Sequence, residues 1–109
     1  MAWAFLAKAS TTNEPTLDYP KTYLKNLAGT DYQILERIAY CESGWKESAK
    51  NAHSSASGLF QFINSTWKRY GQGDVFDPYN NINAAVDLYR AEGTTPWNES
   101  RNCWKSVVK

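Results

Sequence analysis

Two segments of this chain place apolar residues at the three- and four-residue spacing of a helix, and a glycine follows each segment. The first stripe ends before Gly44 and the second before Gly93. The stripes consist of Ile34, Leu35, Ile38 and Ala39, and of Ile82, Ala85, Val86 and Tyr89. This spacing predicts two amphipathic helices, with glycine as their C-terminal stop. No segment longer than residues 59–63 shows the alternating pattern of a β-strand, so the sequence predicts a mainly α fold.

Capping residues predict where the helices begin. The expected N-caps are Asp31, Asn64 or Ser65, and Asn80 or Asn81. A helix that starts at Asp31 carries Cys41 and Glu42 on its last turn. Further short helices are expected at 21–27 and 95–103. Residues 46–63 are rich in Ser, Ala and Asn, and they predict a loop that ends in a short extended segment.

A length of 109 residues suits one domain and is too short for two independent cores. The polar and proline-interrupted residues 1–30 predict an N-terminal arm, and residues 31–109 the folded domain. The apolar start through Ala7–Lys8–Ala9 resembles the tail of a signal peptide. The basic flank and the length of a full signal peptide are missing from it.

Charge and hydropathy exclude two classes of protein. The formal net charge is +1 and the lysines form no run, which argues against a nucleic-acid binder. No stretch approaches the roughly 20 apolar residues of a membrane span. Aromatic residues make up 15% of the chain. Most of them are expected in the core, and others can form the flat apolar walls on which sugar rings stack.

The two cysteines, Cys41 and Cys103, leave several arrangements open. They can form one disulfide, but two cysteines cannot make a zinc site alone. With His53 and a carboxylate they could form a mixed metal site, although the spacing is not that of a known ligand set. A nucleophile pair of Cys41 and His53 would need a third, orienting group that the sequence does not indicate.

Glu42 is the candidate for acid chemistry. At the end of an apolar helix, it would lie near apolar side chains and the negative end of the helix dipole. Both effects raise the pKa of a carboxyl, as a general acid requires. The alternative is an ordinary solvated glutamate. Gly58 allows close backbone approach and Gln61 offers partners for sugar hydroxyl and acetamido groups, although either is also common in a plain loop.

Four motifs together resemble the soluble lytic transglycosylase and goose-type lysozyme superfamily. They begin with Glu42–Ser43–Gly44–Trp45, followed by Gly58–Leu59–Phe60–Gln61, then Ser65–Thr66–Trp67, then Asp77–Pro78–Tyr79–Asn80–Asn81–Ile82. The resemblance covers about residues 34–104. The stretch 38–44, with a late cysteine after Trp97, is also similar to the catalytic domain of resuscitation-promoting factors.

The resemblance implies a single small lysozyme-like domain with Glu42 as the catalytic acid. It implies that Gln61, Phe60 and Gly58 bind sugar in a groove. Asn81 and Tyr89 are implied to be groove or support residues. Phe60 stands where many relatives have methionine, and the A-Y-N motif of the larger transglycosylases is missing, so one wall of the groove differs.

The implied activity is cleavage of peptidoglycan strands between N-acetylmuramic acid and N-acetylglucosamine, without a metal or organic cofactor. The alternatives are a muramidase that hydrolyses the same bond, a chitin-directed enzyme of the same fold, and a non-catalytic wall-binding module. We expect a monomer that is secreted, located in the cell envelope, or phage-encoded and wall-acting. In such surroundings a Cys41–Cys103 disulfide would persist, and two buried free thiols are the alternative.

The distribution of acidic residues favours lytic transglycosylation over hydrolysis. Hydrolysis ordinarily needs a second carboxylate as base or nucleophile. Glu47 is the only acid close behind Glu42, and residues 48–73 contain none. Asp77 is expected as a cap, and Asp74 is the distant acid that could still fold into reach. With one acid, the acetamido group of the substrate would attack the anomeric carbon and a 1,6-anhydro ring would close.

Overall fold

The computed structural model describes residues 19–108, which form five α-helices joined by turns and 3₁₀ segments. The α-helices are α1 (Tyr19–Ala28), α2 (Tyr32–Ser43), α3 (Asn64–Tyr70), α4 (Pro78–Glu92) and α5 (Arg101–Trp104). The 3₁₀ segments are Gly29–Asp31, Thr95–Ser100 and Lys105–Val107. Between residues 19 and 108 no helix is long and apolar enough to cross a membrane. The predicted mainly α, single-domain fold is confirmed.

Both predicted apolar stripes face one hydrophobic core. The whole α2 stripe is buried, and so are Ile82, Ala85 and Val86 of α4, whereas Tyr89 is half-buried. Helix α1 packs against both of these helices. Phe60, Trp97 and Trp104 complete the core. Since short helices are marginal in water on their own, this shared burial rather than helix propensity stabilises them.

The N-terminal arm predicted for residues 1–30 divides into two parts. The expected short helix at 21–27 is confirmed, and as α1 it extends over Tyr19–Ala28. Leu24 and Ala28 are buried in the common core, so this part of the predicted arm is packed into the domain. The arm before residue 19, with its resemblance to the tail of a signal peptide, lies outside the described residues.

The predicted stops are confirmed, but the predicted starts are wrong in detail. Gly44 and Gly93 follow α2 and α4 with positive φ. Asp31 precedes α2 but its side chain makes no capping hydrogen bond, because a 3₁₀ turn already leads into the helix. Helix α4 is not capped by Asn80 or Asn81; the cap expected at Asp77 is confirmed, since its side chain accepts from the backbone N–H groups of residues 79 and 80. Pro78 then fits the first helical position, where no N–H is needed.

A disulfide joins Cys41 at the end of α2 to Cys103 in α5. The predicted pairing is confirmed, and the two free thiols of the alternative are absent from the structure. Because both sulfurs are bonded, neither thiolate is available to His53 for a metal site or a nucleophile pair. The bond instead fixes the C-terminal turns beside the last turn of α2, where Glu42 lies.

Candidate active site

The loop between α2 and α3 returns toward α2 as a tight turn. Ser57 and Phe62 exchange two backbone hydrogen bonds of 3.0 Å each, and residues 58–61 turn between them. The N–H of Gly58 donates to the carbonyl of Ala49 at 2.8 Å, which fastens the turn to the start of the loop. The extended character expected at 59–63 is therefore confined to isolated bridges on either side of a turn.

Gly58 is the position where this turn requires glycine. Its φ is +83°, in the left-handed region, and a Cβ would approach the side-chain amide of Asn81 and the carbonyl oxygen of Val75. The carbonyl oxygen would lie only 2.6 Å from that Cβ. A side chain is therefore opposed both by the backbone conformation and by rigid neighbours.

Gly58→Ala is expected to lower the free energy of unfolding by roughly 2–3 kcal/mol, the sum of a strained φ and an overlap in a packed site. Gly44→Ala is the matched control, since Gly44 lies in the left-handed helical region, at φ +63° and ψ +27°, and has no atom within 4 Å of its Cβ position. The control should lose only about 1 kcal/mol. Urea unfolding measures both. Equal losses in the two variants would show that the approach to Asn81 contributes nothing.

Asn81 supports the turn from behind. Its side chain is fully buried, with 0% exposed. Its Oδ1 accepts the N–H of Phe60 at 2.8 Å, and its Nδ2 donates to the carbonyl of Val75 at 2.8 Å. A buried amide with these partners is satisfied and rigid. Asn81 therefore holds the backbone of the turn and does not itself reach the cavity described below.

Phe60 and Gln61 present different groups at the turn. The ring of Phe60 is only 1% exposed and packs against Trp97, so it forms the floor of the site. Gln61 has φ of +55°, a costly conformation for a residue with a side chain. Its Nε2 donates to the carbonyls of Ala49 and Gly58 at 3.1 and 2.9 Å. The amide nitrogen is therefore used to brace the loop, and the side-chain oxygen remains as the acceptor.

Glu42 is half-buried on the last turn of α2, as predicted from the helix pattern. Burial raises the pKa of its carboxyl above the ordinary value of 4.5, and the negative charge of Glu99 adds to the rise. A hydrogen bond from Ser100 acts in the opposite direction. The net rise agrees with the direction expected from the sequence, and it suits a carboxyl that must hold a proton before donating it.

Glu42 and the turn open onto one cavity of about 850 Å³, within the size range of ligand sites. Its walls come from five parts of the chain. They are Glu42 of α2; Asn51, Ser54 and Ala56 of the loop; Phe60 to Ile63; Ser65, Thr66, Arg69 and Tyr70 of α3; and Leu88, Glu92 and residues 95–99. The cavity therefore runs between the acid on one side and helices α3 and α4 on the other.

The acidic residues near the cavity differ from those that the sequence indicated. Asp74 accepts the N–H of Phe76 in a local turn and does not line the cavity. Glu92 and Glu99 do line it. Glu92 accepts the hydroxyl of Tyr70 at 3.1 Å, and Glu99 is close enough to affect the pKa of Glu42. Both come more than 45 positions after Glu42, so the absence of acidic residues from 48–73 did not bear on them.

The structure brings Glu42, Phe60 and Gln61 together at the cavity, but Gly58, Asn81 and Tyr89 do not line it. Burial raises the pKa of the Tyr89 phenol, and the negative charge of nearby Asp31 adds to the rise. Asp31 precedes α2 and Glu42 is on its last turn, so the two are about 16 Å apart at 1.5 Å per residue. Tyr89 therefore packs at the opposite end of that helix from the acid.

Sequence reasoning missed Ser100, which donates to the carboxyl of Glu42, and Trp97 and Trp104, which contact the hydroxyl of Ser100. Trp97 donates its Nε1 to the carbonyl of Phe60 at 3.1 Å and so also fixes the floor of the site. One signal could have found these residues. If Cys103 is bonded to Cys41, residues within about one turn of Cys103 must lie beside Glu42.

The chain is similar to a known family of protein domains and to curated proteins of staphylococci. The family described as "Transglycosylase SLT domain" matches residues 22–103. The chain is 40% identical over 70 residues to "Probable transglycosylase SceD 2" of Staphylococcus saprophyticus, covering 58% of this chain and 28% of that protein. It is 33% identical over 100 residues to "Probable transglycosylase SceD" of Staphylococcus aureus strain Newman, covering 83% and 43% respectively.

The chain spans less than half the length of the curated relatives it matches, at 28% and 43%. No solved structure gives a significant match. The family match includes α2, the turn at 58–61 and every residue that lines the cavity.

Proposed function

The chain belongs to the transglycosylase SLT domain family, and on that premise we propose that it cleaves the glycan strands of peptidoglycan with Glu42 as its general acid. One observation carries the proposal. Glu42 is a half-buried carboxyl with a raised pKa, and it lines the cavity whose floor is formed by Phe60 of the turn at 58–61. A module that only binds the cell wall would not need a carboxyl with a raised pKa in its cavity.

In the proposed reaction, Glu42 donates its proton to the glycosidic oxygen between N-acetylmuramic acid and N-acetylglucosamine. The bond from that oxygen to the anomeric carbon breaks, while the acetamido oxygen of the same muramic acid attacks the anomeric carbon. The resulting Glu42 carboxylate then takes the proton from the 6-hydroxyl. That hydroxyl displaces the acetamido oxygen and closes a 1,6-anhydro ring, so no water is consumed.

The sugar is proposed to lie across the turn, with the side-chain oxygen of Gln61 accepting a hydroxyl or acetamido N–H. Both N–H directions of that amide point into the loop, which supports a role as acceptor. Phe60 would act through the shape of the floor and not by stacking, since its ring is covered. No metal or organic cofactor enters this scheme.

Hydrolysis of the same bond is the second candidate, and the position of Glu99 favours it. Glu99 lines the cavity near Glu42 and could serve as the base that activates water. The family favours transglycosylation. Glu92, the other carboxylate that lines the cavity, is less suited to act as the base because it accepts the hydroxyl of Tyr70.

A peptidoglycan-directed enzyme would act in the cell envelope, outside the cell or during lysis, where the disulfide persists.

Mass spectrometry of digested peptidoglycan separates the two reactions. We expect products that end in 1,6-anhydro-muramic acid, each lighter by one water than the corresponding reducing product. Digestion in water enriched in a heavy oxygen isotope should leave the new ends unlabelled. Glu99→Gln should then retain anhydro products. Reducing, isotope-labelled ends that disappear in Glu99→Gln would establish hydrolysis instead.

A further inference from the structure

Ser100 meets the carboxyl of Glu42 across the site. Ser100 is the last residue of the segment Thr95–Ser100, and its Oγ lies 2.5 Å from Oε2 of Glu42, 58 positions away in the chain. An O–H donor typically approaches a carboxylate to about 2.5–2.7 Å. Helix α2 and the C-terminal turns are therefore joined directly at the proposed catalytic group.

The hydroxyl of Ser100 is itself held by two tryptophans. Nε1 of Trp104 donates to Oγ at 3.0 Å, and the carbonyl of Trp97 lies 3.1 Å from Oγ. A hydroxyl has one proton, so it can donate to only one of Glu42 and Trp97 at a time. We assign the proton to Glu42, since that contact is shorter, at 2.5 Å, than the 3.1 Å contact with the Trp97 carbonyl.

The backbone that carries Ser100 is also fixed covalently. Cys103, three residues later, is bonded to Cys41, the residue before Glu42. The ring of Trp104 is buried in the core. Ser100 is therefore placed against Glu42 by a covalent bond and by packing, and the contact does not depend on a mobile surface side chain.

The contact makes the two carboxyl oxygens of Glu42 unequal. Oε2 accepts from Ser100, whereas Oε1 has no hydrogen-bond partner among residues 19–108. An oxygen that already accepts a hydrogen bond is the poorer place for the acidic proton. The proton is therefore favoured on Oε1, which is left for the substrate.

We propose that Ser100 is a positioning residue that gives the two oxygens of Glu42 different tasks: it holds Oε2 in place and leaves Oε1 to pass the proton to the glycosidic oxygen. The proposal rests on the proposed function of Glu42. After proton donation, the same hydroxyl stabilises the carboxylate, since a hydrogen bond to a charged acceptor is stronger than one to a neutral group. Ser100 therefore serves both halves of the cycle.

Removal of this hydroxyl has a consequence that loss of packing alone does not have. Ser100 lowers the pKa of Glu42 against the effect of burial. Without it, the carboxylate loses a donor and the pKa should rise further. Activity that needs protonated Glu42 falls as the pH rises through this pKa, so the alkaline limb of the pH–rate profile should move to higher pH.

Other charges around Glu42 are common to wild type and variants. Glu99 is the charged neighbour that raises its pKa. The remaining charged side chains on elements that border the site or pack against α2 include Lys21, Arg69, Glu92, Arg101 and Lys105. Because the test substitutions leave all of them in place, their contributions cancel when a variant is compared with wild type.

The test compares Ser100→Ala, Ser100→Thr and Ser106→Ala with wild type on a soluble peptidoglycan fragment. Ser106 is an exposed serine in the same C-terminal region, and its side chain makes no hydrogen bond among the described residues. For Ser100→Ala we expect kcat to fall by about 10- to 100-fold with KM little changed, and the alkaline limb to move up. Ser100→Thr keeps the hydroxyl and should restore the wild-type limb, and Ser106→Ala should match wild type.

A second readout does not require activity. Carbon-13 NMR titration follows the side-chain carboxyl of Glu42, whose signal is identified by its absence in Glu42→Gln. The pKa of Glu42 should be higher in Ser100→Ala than in wild type, and unchanged in Ser106→Ala.

The two readouts separate this proposal from the proposed function. An unchanged alkaline limb and an unchanged pKa of Glu42 in Ser100→Ala would overturn the role of Ser100 even if wild type cleaves peptidoglycan. A uniform loss of activity at every pH would assign Ser100 to packing and would also overturn it. Wild type that cleaves no glycan would overturn the proposed function, and the titration alone would then decide whether Ser100 positions the carboxyl.

Discussion

Glu42→Gln should reduce the rate of peptidoglycan cleavage by about 10²–10⁴-fold, the usual contribution of a general acid. Glutamine has the shape of protonated glutamate but no acidic proton, and its side-chain oxygen can still accept from Ser100. Turbidity loss of a peptidoglycan suspension measures the rate. Glu47→Gln is the matched control, because Glu47 is an exposed glutamate that does not line the cavity.

The same substitution should not destabilise the fold, and its effect on stability has a defined pH dependence. The pKa of Glu42 is raised in the folded state, so folding favours the protonated form. The stability that this preference provides is present below the ordinary pKa of 4.5 and is lost as the pH rises through the higher folded value. Glu42→Gln cannot ionise, so its melting temperature relative to wild type should increase over that window.

A folded Glu42→Gln protein that clears peptidoglycan at the wild-type rate would show that Glu42 is not the acid. A melting temperature that falls with the activity would instead assign the loss to folding. The pH series distinguishes these outcomes, since a disrupted fold would lower the melting temperature below pH 4.5 as well.

Loss of the Cys41–Cys103 disulfide should lower the free energy of unfolding by about 4 kcal/mol. The bond closes a loop with a sequence separation of 62, and the chain-entropy model gives about this value for a loop of that size. For a domain of this size, the melting temperature should fall by roughly 15–30 °C. Activity should fall as well, because the bond fixes the segment that places Ser100 against Glu42.

Thermal unfolding of wild type with and without a reductant measures the effect of the disulfide. The double variant Cys41→Ser, Cys103→Ser is the control, since it should melt at the temperature of reduced wild type and should not respond to the reductant. Thiol titration of unreduced, denatured wild type should find no free thiol. Two titratable thiols in protein prepared under oxidising conditions would contradict the disulfide.

Much of the structure that positions Glu42 could be predicted from local sequence. The stripe at 34–39 and Gly44 set the length of α2 and place Glu42 on its last turn, because helical periodicity and a glycine stop act within a few residues. The pairing of Cys41 with Cys103 was available from the motif resemblance. The direction in which the pKa of Glu42 is shifted also follows from its position at the end of an apolar helix.

The helix starts were less predictable, for a physical reason that α4 illustrates. Asp77, Asn80 and Asn81 are all good capping residues, and local preference does not rank them. Burial decides between them, since Asn81 is needed inside the protein to hold the N–H of Phe60. Asp77 is then left at the surface to cap the helix.

The roles of residues far apart in the chain depend on the tertiary structure. Glu99 comes 57 positions after Glu42, and no local pattern indicates that their charges interact. Phe60 occupies a motif position expected to bind sugar, yet its ring is covered by the packing of Trp97. The packing of the helices decides which distant side chains cover one another and which distant charges come close. Periodicity alone does not specify that packing.

The sequence by itself predicted the two amphipathic helices, their glycine stops, and Glu42 as the candidate acid. Each of these depends on interactions within a few residues or on a motif of fixed spacing. Only the tertiary structure decided which oxygen of Glu42 accepts from Ser100, which carboxylates share the cavity, and which polar side chain supports the turn. These depend on distances of a few ångströms between groups 20 to 60 positions apart, and packing of the whole core sets such distances.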